Sequence, residues 1–432
     1  MAILVVFISL TPQLRSFYSM PSLLKIGVGE QLGIHLPLPP YLSNQLKVEV
    51  STNPKDLLDL KTGTVSLNSF LQETTGLVAT KPGEASIRLK LFGLIPVKNM
   101  DVDVVPRIEL VPGGHAIGIL LKAQGVTVVG FAPVIDENGK EHNPGRDGGL
   151  AIGDVIEKVN GIPVSTDEET ARLIHLAGKK KKPVSLAIWR DNKQLTMQVN
   201  PVMCKDTKRF RIGAYIRDSA AGVGTLTFYD PKTKIYGALG HIIADGEVNR
   251  QIAQGEGKIV SASILGINQA RRGQPGEKIG TFHQSDKGII EGDIRKNTNY
   301  GIFGFLKTPL ENEIYREPLP VAFAHQVKTG PAEVLTVVEG DKIERFSVEI
   351  VRINPHQTTN GKNLLINITD PRLLEVTGGI VQGMSGSPII QDGYLVGAVT
   401  HVLVNEPTKG YGILAEWMLT ETGILEQAQE AA

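Results

Sequence analysis

Short runs that alternate strictly between apolar and polar residues dominate the first hundred or so positions of the chain. Gln45-Leu46-Lys47-Val48-Glu49-Val50 and Ala85-Ser86-Ile87-Arg88-Leu89-Lys90-Leu91 each place every second side chain on one face. A period of two, broken by Gly and Pro, predicts antiparallel strands with one wet face. Residues 22–106 are therefore expected to form a small β-sandwich acting as a spacer, with no catalytic pattern in it. Ahead of it, Met1 to Leu10 reads MAILVVFISL, almost wholly apolar and followed by Pro12. Such a stretch is too short to span a bilayer and has no Lys or Arg before it. We read residues 1–21 as the remnant of a signal or membrane anchor, with a buried strand as the alternative, and expect the chain to be exported.

From Arg107 the pattern changes. Ile108–Val111 and Val126–Val134 read as strands, separated by Pro112-Gly113-Gly114 and Ala116-Ile117-Gly118-Ile119. Gly148-Gly149-Leu150-Ala151-Ile152-Gly153-Asp154-Val155-Ile156 follows, and then Asn160-Gly161. Those glycines suit turns that need positive φ, and Asp154 is placed to hold its turn. A helix is expected from Thr166 to Ala177, with Thr166 and Glu169 as a capping box and apolar Ala171, Ile174 and Ala177. Strands at Val184–Trp189 and Gln194–Val199 complete the unit. The whole of residues 107–200 resembles a PDZ domain of the form found in bacterial proteases. PDZ domains take a peptide as an added strand at a sheet edge. That resemblance implies peptide binding by the backbone of Ala116, Ile117, Gly118 and Ile119. The preceding sandwich, in the same comparison, resembles bacterial Ig-like domains.

Composition narrows the function classes. Lys+Arg and Asp+Glu balance at 45 each, so no electrostatic footprint for nucleic acid exists, and Lys179–Lys182 reads as a solvated turn. The single cysteine, Cys204, excludes an intrachain disulfide and a cysteine-based zinc site. With 47 glycines and 25 prolines the chain is rich in turns, which favours a mainly β architecture. No HExxH, P-loop or EF-hand pattern occurs, and no metal or cofactor is expected.

The strongest chemical signal is Gly383-Met384-Ser385-Gly386-Ser387-Pro388, a glycine-flanked serine turn running into the strand residues Ile389-Ile390. Glycines there let the amides of Gly383 and Ser385 converge on one point, as an oxyanion hole requires. Ser387 is the other hydroxyl in reach, but the flanking glycines favour Ser385 as nucleophile. A serine nucleophile needs a base. Gly237-Ala238-Leu239-Gly240-His241 supplies a histidine behind a run of small residues and ahead of the serine in the chain. His401, on the strand after the serine, reads as a partly buried strand residue or a cleft wall. The orienting carboxylate stays open on spacing alone, among Asp245, Asp286, Asp293 and Asp370.

Beyond these motifs, Tyr215-Ile216-Arg217-Asp218-Ser219-Ala220-Ala221-Gly222, Tyr236 to His241, Thr369-Asp370-Pro371-Arg372-Leu373-Leu374 and Gly378 to Pro388 resemble the SpoIVB peptidase family. These are the PDZ-containing serine peptidases of endospore-forming bacteria, and the likeness covers about residues 105–425. It implies a chymotrypsin-like double β-barrel over residues 201–432 and a triad of His241, Asp370 and Ser385. It also implies a signalling endopeptidase, exported across the forespore membrane, that cleaves itself and a regulator of a membrane-embedded protease. Two rivals remain: a PDZ adaptor with an inactive protease-like domain, and an HtrA-like quality-control protease. In the HtrA kind the protease domain precedes the PDZ domain, the reverse of the order here.

Overall fold

In the computed structural model, residues 23–32, 45–53, 57–59, 65–66, 77–190, 193–243, 257–283, 290–356 and 361–430 are described. The expected anchor segment, residues 1–21, lies outside them, as do Asp245 and Asp286. The N-terminal part is built from two sheets. In the larger, Gly83–Leu91 pairs antiparallel with Leu46–Asn53 on one side and Ile95–Val105 on the other, and Leu23–Gly27 adds parallel to Ile95–Val105. Alternation works as the sequence predicts. Ala85, Ile87 and Leu89 are buried while Arg88 is exposed, and Lys90 reaches across the strands to Glu49. A second, three-stranded sheet joins Gln31–Leu32, Leu77–Ala79 and Leu58–Asp59.

The next unit packs one helix on a sheet whose strands run in the order Lys193–Val199, Val184–Arg190, Val155–Val159, Ala116–Phe131 and Ala214–Tyr229. The helix, Asp167–Lys179, begins as predicted: the Thr166 hydroxyl accepts from the Glu169 amide at 3.2 Å. Its buried face is formed by Leu173, Ile174 and Ala177, whereas Ala171 is exposed. These side chains meet Val126, Val128, Leu150, Ile156, Val159, Leu186 and Ile188 in one core. Each full burial of this kind contributes about 1.5–3 kcal/mol relative to exposure. Asp154 is buried and accepts from the Ala151 amide at 2.9 Å, and two bonds of 2.6 Å from the Arg190 guanidinium tie the turn to a strand end. Lys179–Lys182 lies exposed past the helix.

One expectation fails here. Ile117, Gly118 and Ile119 belong to the long strand Ala116–Phe131 and are paired on both sides: with Gly224, Val223 and Gly222 along one edge and with Ser261, Val260 and Ile259 along the other. Ala116 is itself paired with Thr225. No free edge remains at Ile117, Gly118 and Ile119, three of the four residues expected to receive a peptide. Their backbone groups are already satisfied by strands contributed from later in the chain.

The C-terminal half holds a closed six-stranded barrel, in the order Gly330–Val337, Ile343–Ile353, Leu364–Ile368, Lys409–Leu414, Tyr394–Val402 and Pro388–Gln391. Val334, Phe346, Val348, Ile350, Leu364, Ile366, Ile389, Val396 and Val399 fill it. The preceding half forms a second ring of strands, in the order Ala116–Phe131, Ala214–Tyr229, Ile235–Ala238, Gly301–Phe305, Glu291–Ile294 and Gly257–Asn268. Its seam beside Gly301–Phe305 is joined by the Gly292–Leu306 bridge and by the Arg295 amide donating to the Phe303 carbonyl at 2.8 Å. Its strands belong to a 14-stranded sheet continuous with that of the helix-bearing unit. The cause is the strand Ala214–Tyr229, long enough to pair with Thr127–Phe131 at its start and Ile235–Ala238 at its end. Among the described residues no helix is long and apolar enough to cross a membrane.

Candidate active site

The serine turn is held between the barrel and the strand Ala214–Tyr229. Gly378, at φ +68°, ends the helix Pro371–Thr377 in the left-handed conformation that glycine tolerates, and the chain then buries Ile380 and Val381 in the barrel core. Gly383 and Gly386 take φ +92° and +93°. A side chain at Gly386 is sterically impossible as the turn stands, because its Cβ would lie 1.9 Å from the Thr225 carbonyl oxygen. Among the described residues, the Gly383 and Ser385 amides donate to no acceptor, while their neighbours Gln382, Met384, Gly386 and Ser387 all do. Two free donors flanking the serine side chain are what an oxyanion site needs. The Ser385 hydroxyl donates to the Thr400 carbonyl at 2.7 Å. Ser387, fully buried, bonds the Thr336 hydroxyl at 3.1 Å and is closed to substrate.

His241 arrives at the same place from the other half. Strand Ile235–Ala238 ends in a turn with Leu239 at φ +68° and Gly240 at φ +71°. A Cβ on Gly240 would stand 2.8 Å from Thr400 Cγ2 and 2.9 Å from Ile413 Cγ2, so the small residue is required by the close approach of the barrel. Thr400 thus touches both segments, accepting the Ser385 hydroxyl and packing against Gly240, the residue before His241. The imidazole Nδ1 bonds the Ile242 carbonyl at 2.7 Å, which assigns the proton to Nδ1 and leaves Nε2 as the basic nitrogen. Burial pushes the His241 pKa below its ordinary value, only partly opposed by that carbonyl. The His401 ring stands 5.0 Å away, its pKa driven down to about 4 by burial first and by His241 and Lys362 next. Asn297 grips the backbone beyond, accepting from the Ile243 amide and donating to its carbonyl, both at 2.9 Å.

Asp370 is not brought to this pair. Its carboxylate caps the helix Pro371–Thr377, accepts from the Arg372 amide at 3.0 Å and the Ser347 amide at 3.3 Å, and pairs with the Arg372 guanidinium at 2.9 Å. The Arg372 contact holds its pKa below the usual carboxylate range. Asp293 is likewise engaged, by Arg295 and the Phe305 amide. Sequence reasoning missed two residues under the turn, Lys278 and Thr336. Lys278 lays its stem against Gly383 and donates its amine to Thr336 at 2.7 Å, and Thr336 in turn meets Ser387. Burial drives the Lys278 pKa down to about 7. No local signal marks Lys278, which sits in a strand and reads as a wet-face residue.

Comparison with known proteins fits this geometry. Residues 208–419 match the family described as SpoIVB peptidase S55, and residues 117–200 match the PDZ domain family. The chain belongs to the SpoIVB peptidase family. It is a serine peptidase with a PDZ domain ahead of its peptidase domain. No curated protein matches the chain. Among solved structures, the Rv3671c protease from M. tuberculosis in its active form is 14% identical, covering 48% of this chain and 74% of that one, with a TM-score of 0.30. A thermostable serine protease, AL20, from an extremophilic microorganism is 12% identical over 47% of this chain and 91% of that one, with a TM-score of 0.28. Human heparin binding protein is 14% identical over 47% and 85% respectively, with a TM-score of 0.27.

Proposed function

We propose that Ser385 is the nucleophile and His241 the general base of this SpoIVB-family peptidase. The observation that carries the reading is the pair of unengaged amides on Gly383 and Ser385, flanking a serine whose acceptor, Thr400, also packs against Gly240, the residue before His241. In the reaction the Ser385 hydroxyl leaves the Thr400 carbonyl and attacks a peptide carbonyl as Nε2 of His241 takes its proton. The Gly383 and Ser385 amides hold the resulting oxyanion, and His241 returns the proton to the leaving amine. Water then cleaves the acyl-enzyme by the same path in reverse. The Ile242 carbonyl fixes the imidazole tautomer, a task that the family resemblance gives to Asp370.

At the level of biology, we infer a signalling endopeptidase, exported across the forespore membrane, that cleaves itself and a regulator of a membrane-embedded protease. The PDZ domain binds peptide segments of self or target, and the Ig-like N-terminal part acts as spacer. What supports this is family membership and the order of PDZ before peptidase. Incubation of the purified chain beside its Ser385→Ala variant tests the reading by mass spectrometry. Fragments from the native form alone support it. Equal fragmentation of both forms removes Ser385 from the reaction.

A further inference from the structure

The peptidase turn is glycine-rich, and glycine permits several backbone arrangements of similar energy. Something must select the one in which the Gly383 and Ser385 amides converge. The strand Ala214–Tyr229 presents two threonines, Thr225 and Thr227, at alternate positions and therefore on one face. Both are fully buried. The Thr225 hydroxyl donates to the Gly383 carbonyl at 2.7 Å, and the Thr227 hydroxyl donates to the Gly386 carbonyl at 2.8 Å. Between them, the Thr225 amide donates to the Ser385 carbonyl at 2.9 Å. The Thr225 carbonyl accepts from the Leu239 amide at 3.3 Å, two residues before His241.

We propose that Thr225 and Thr227 are positioning residues for the peptidase reaction, their hydroxyls clamping the carbonyls on either side of Ser385 so that the oxyanion amides stay aimed. This rests on the assignment of Ser385 as nucleophile. Fixing the Gly383 carbonyl fixes ψ of a residue with no side chain to restrain it, and fixing Gly386 does the same on the other side of the nucleophile. The clamp also has a fixed root. The same strand begins in the PDZ sheet, where Ala214–Arg217 pairs with Phe131–Thr127. The turn is therefore braced by a strand shared with the PDZ domain, and the seating of that strand sets the geometry at Ser385.

Inactivation of the full chain by a fluorophosphonate probe tests the clamp, because the phosphonyl oxygen occupies the oxyanion position. Thr225→Val and Thr227→Val keep side-chain shape and remove the hydroxyl. Each should lower the limiting rate of inactivation by about tenfold, with the probe's half-saturating concentration unchanged. Thr225→Ser restores the hydroxyl and should recover most of the rate. A structural role alone would move the urea midpoint and leave the inactivation rate of the folded fraction untouched, so both are measured on every variant. If Thr225→Val does not fold, Thr227→Val and Thr225→Ser decide the matter. Wild-type inactivation rates in the folded valine variants overturn the proposal. So does a Thr225→Ser loss as large as that of Thr225→Val, which would assign the effect to methyl packing. A native chain that the probe never labels overturns instead the assignment of Ser385, not the clamp.

Discussion

Replacing Lys278 by methionine should stabilise the protein most at neutral pH and progressively less as the solution is made alkaline. The amine is fully buried, and among the described residues no carboxylate bonds it; its one hydrogen bond goes to Thr336. Burial lowers its pKa from 10.5 to about 7. Because the unfolded chain keeps the ordinary value, between these two pH values it binds a proton that the folded chain does not. Stability of the native chain therefore rises with pH across that window, and below it the penalty is fully present. A drop of this size corresponds to about 5 kcal/mol in full, of which about 2 kcal/mol is recovered between pH 7.5 and pH 9. Lys278→Met fills nearly the same volume without the amine and leaves the Thr336 hydroxyl short of one donor, a loss of about 1 kcal/mol. Urea denaturation of both proteins at pH 7.5 and 9 measures the difference directly. The variant should be the more stable at pH 7.5, with its margin shrinking by about 2 kcal/mol at pH 9. A margin that does not change with pH would refute the argument, because it would mean that the buried amine carries its proton in the folded chain as it does unfolded.

Asp370→Asn should behave as the loss of a helix cap and an ion pair: about 1–2 kcal/mol of stability in urea, with fluorophosphonate inactivation within about tenfold of native. A loss of several thousandfold in rate with stability intact would make Asp370 the orienting acid despite its engagement with Arg372 and Ser347. Gly386→Ala drives a methyl into the Thr225 carbonyl, and the inactivation rate should fall by at least about a hundredfold; a rate near native would show that the turn is free to move. The acid limb of the pH–rate profile should lie below 6.5, since burial depresses His241 and the neutral imidazole is the active base. A limb above 6.5, followed by stopped inactivation assays across pH 5–8, would contradict that environment.

The two side chains proposed to react were legible because each needs a backbone that only small residues allow. Gly386 has to pass the Thr225 carbonyl, and Gly240 has to pass Thr400 and Ile413, so glycines stand beside Ser385 and His241 in the sequence itself. The helix cap at Asp370 carries a local signal that went unread, since Asp followed by Pro at the first helical position is a helix-start pattern. The family resemblance drew attention to its carboxylate for another task. What was not legible depends on contacts distant in sequence. The PDZ resemblance that implied a binding edge at Ile117–Ile119 says nothing about the strand Gly257–Asn268, which closes it. Nor does the alternation of Thr225 and Thr227 reveal that the surface they face is the serine turn, some 160 residues on. The continuity of the PDZ sheet with the peptidase half was hidden for a related reason: a strand as long as Ala214–Tyr229 serves both at once, and no local signal marks where one ends.

The most direct measurement is peptide mapping of the native chain, Ser385→Ala and His241→Ala after exposure to a fluorophosphonate. The account predicts one phosphonyl adduct per native chain, on Ser385. It predicts none in Ser385→Ala and labelling slowed by orders of magnitude in His241→Ala. A folded native chain that stays unlabelled, or an adduct on any other residue, would contradict it.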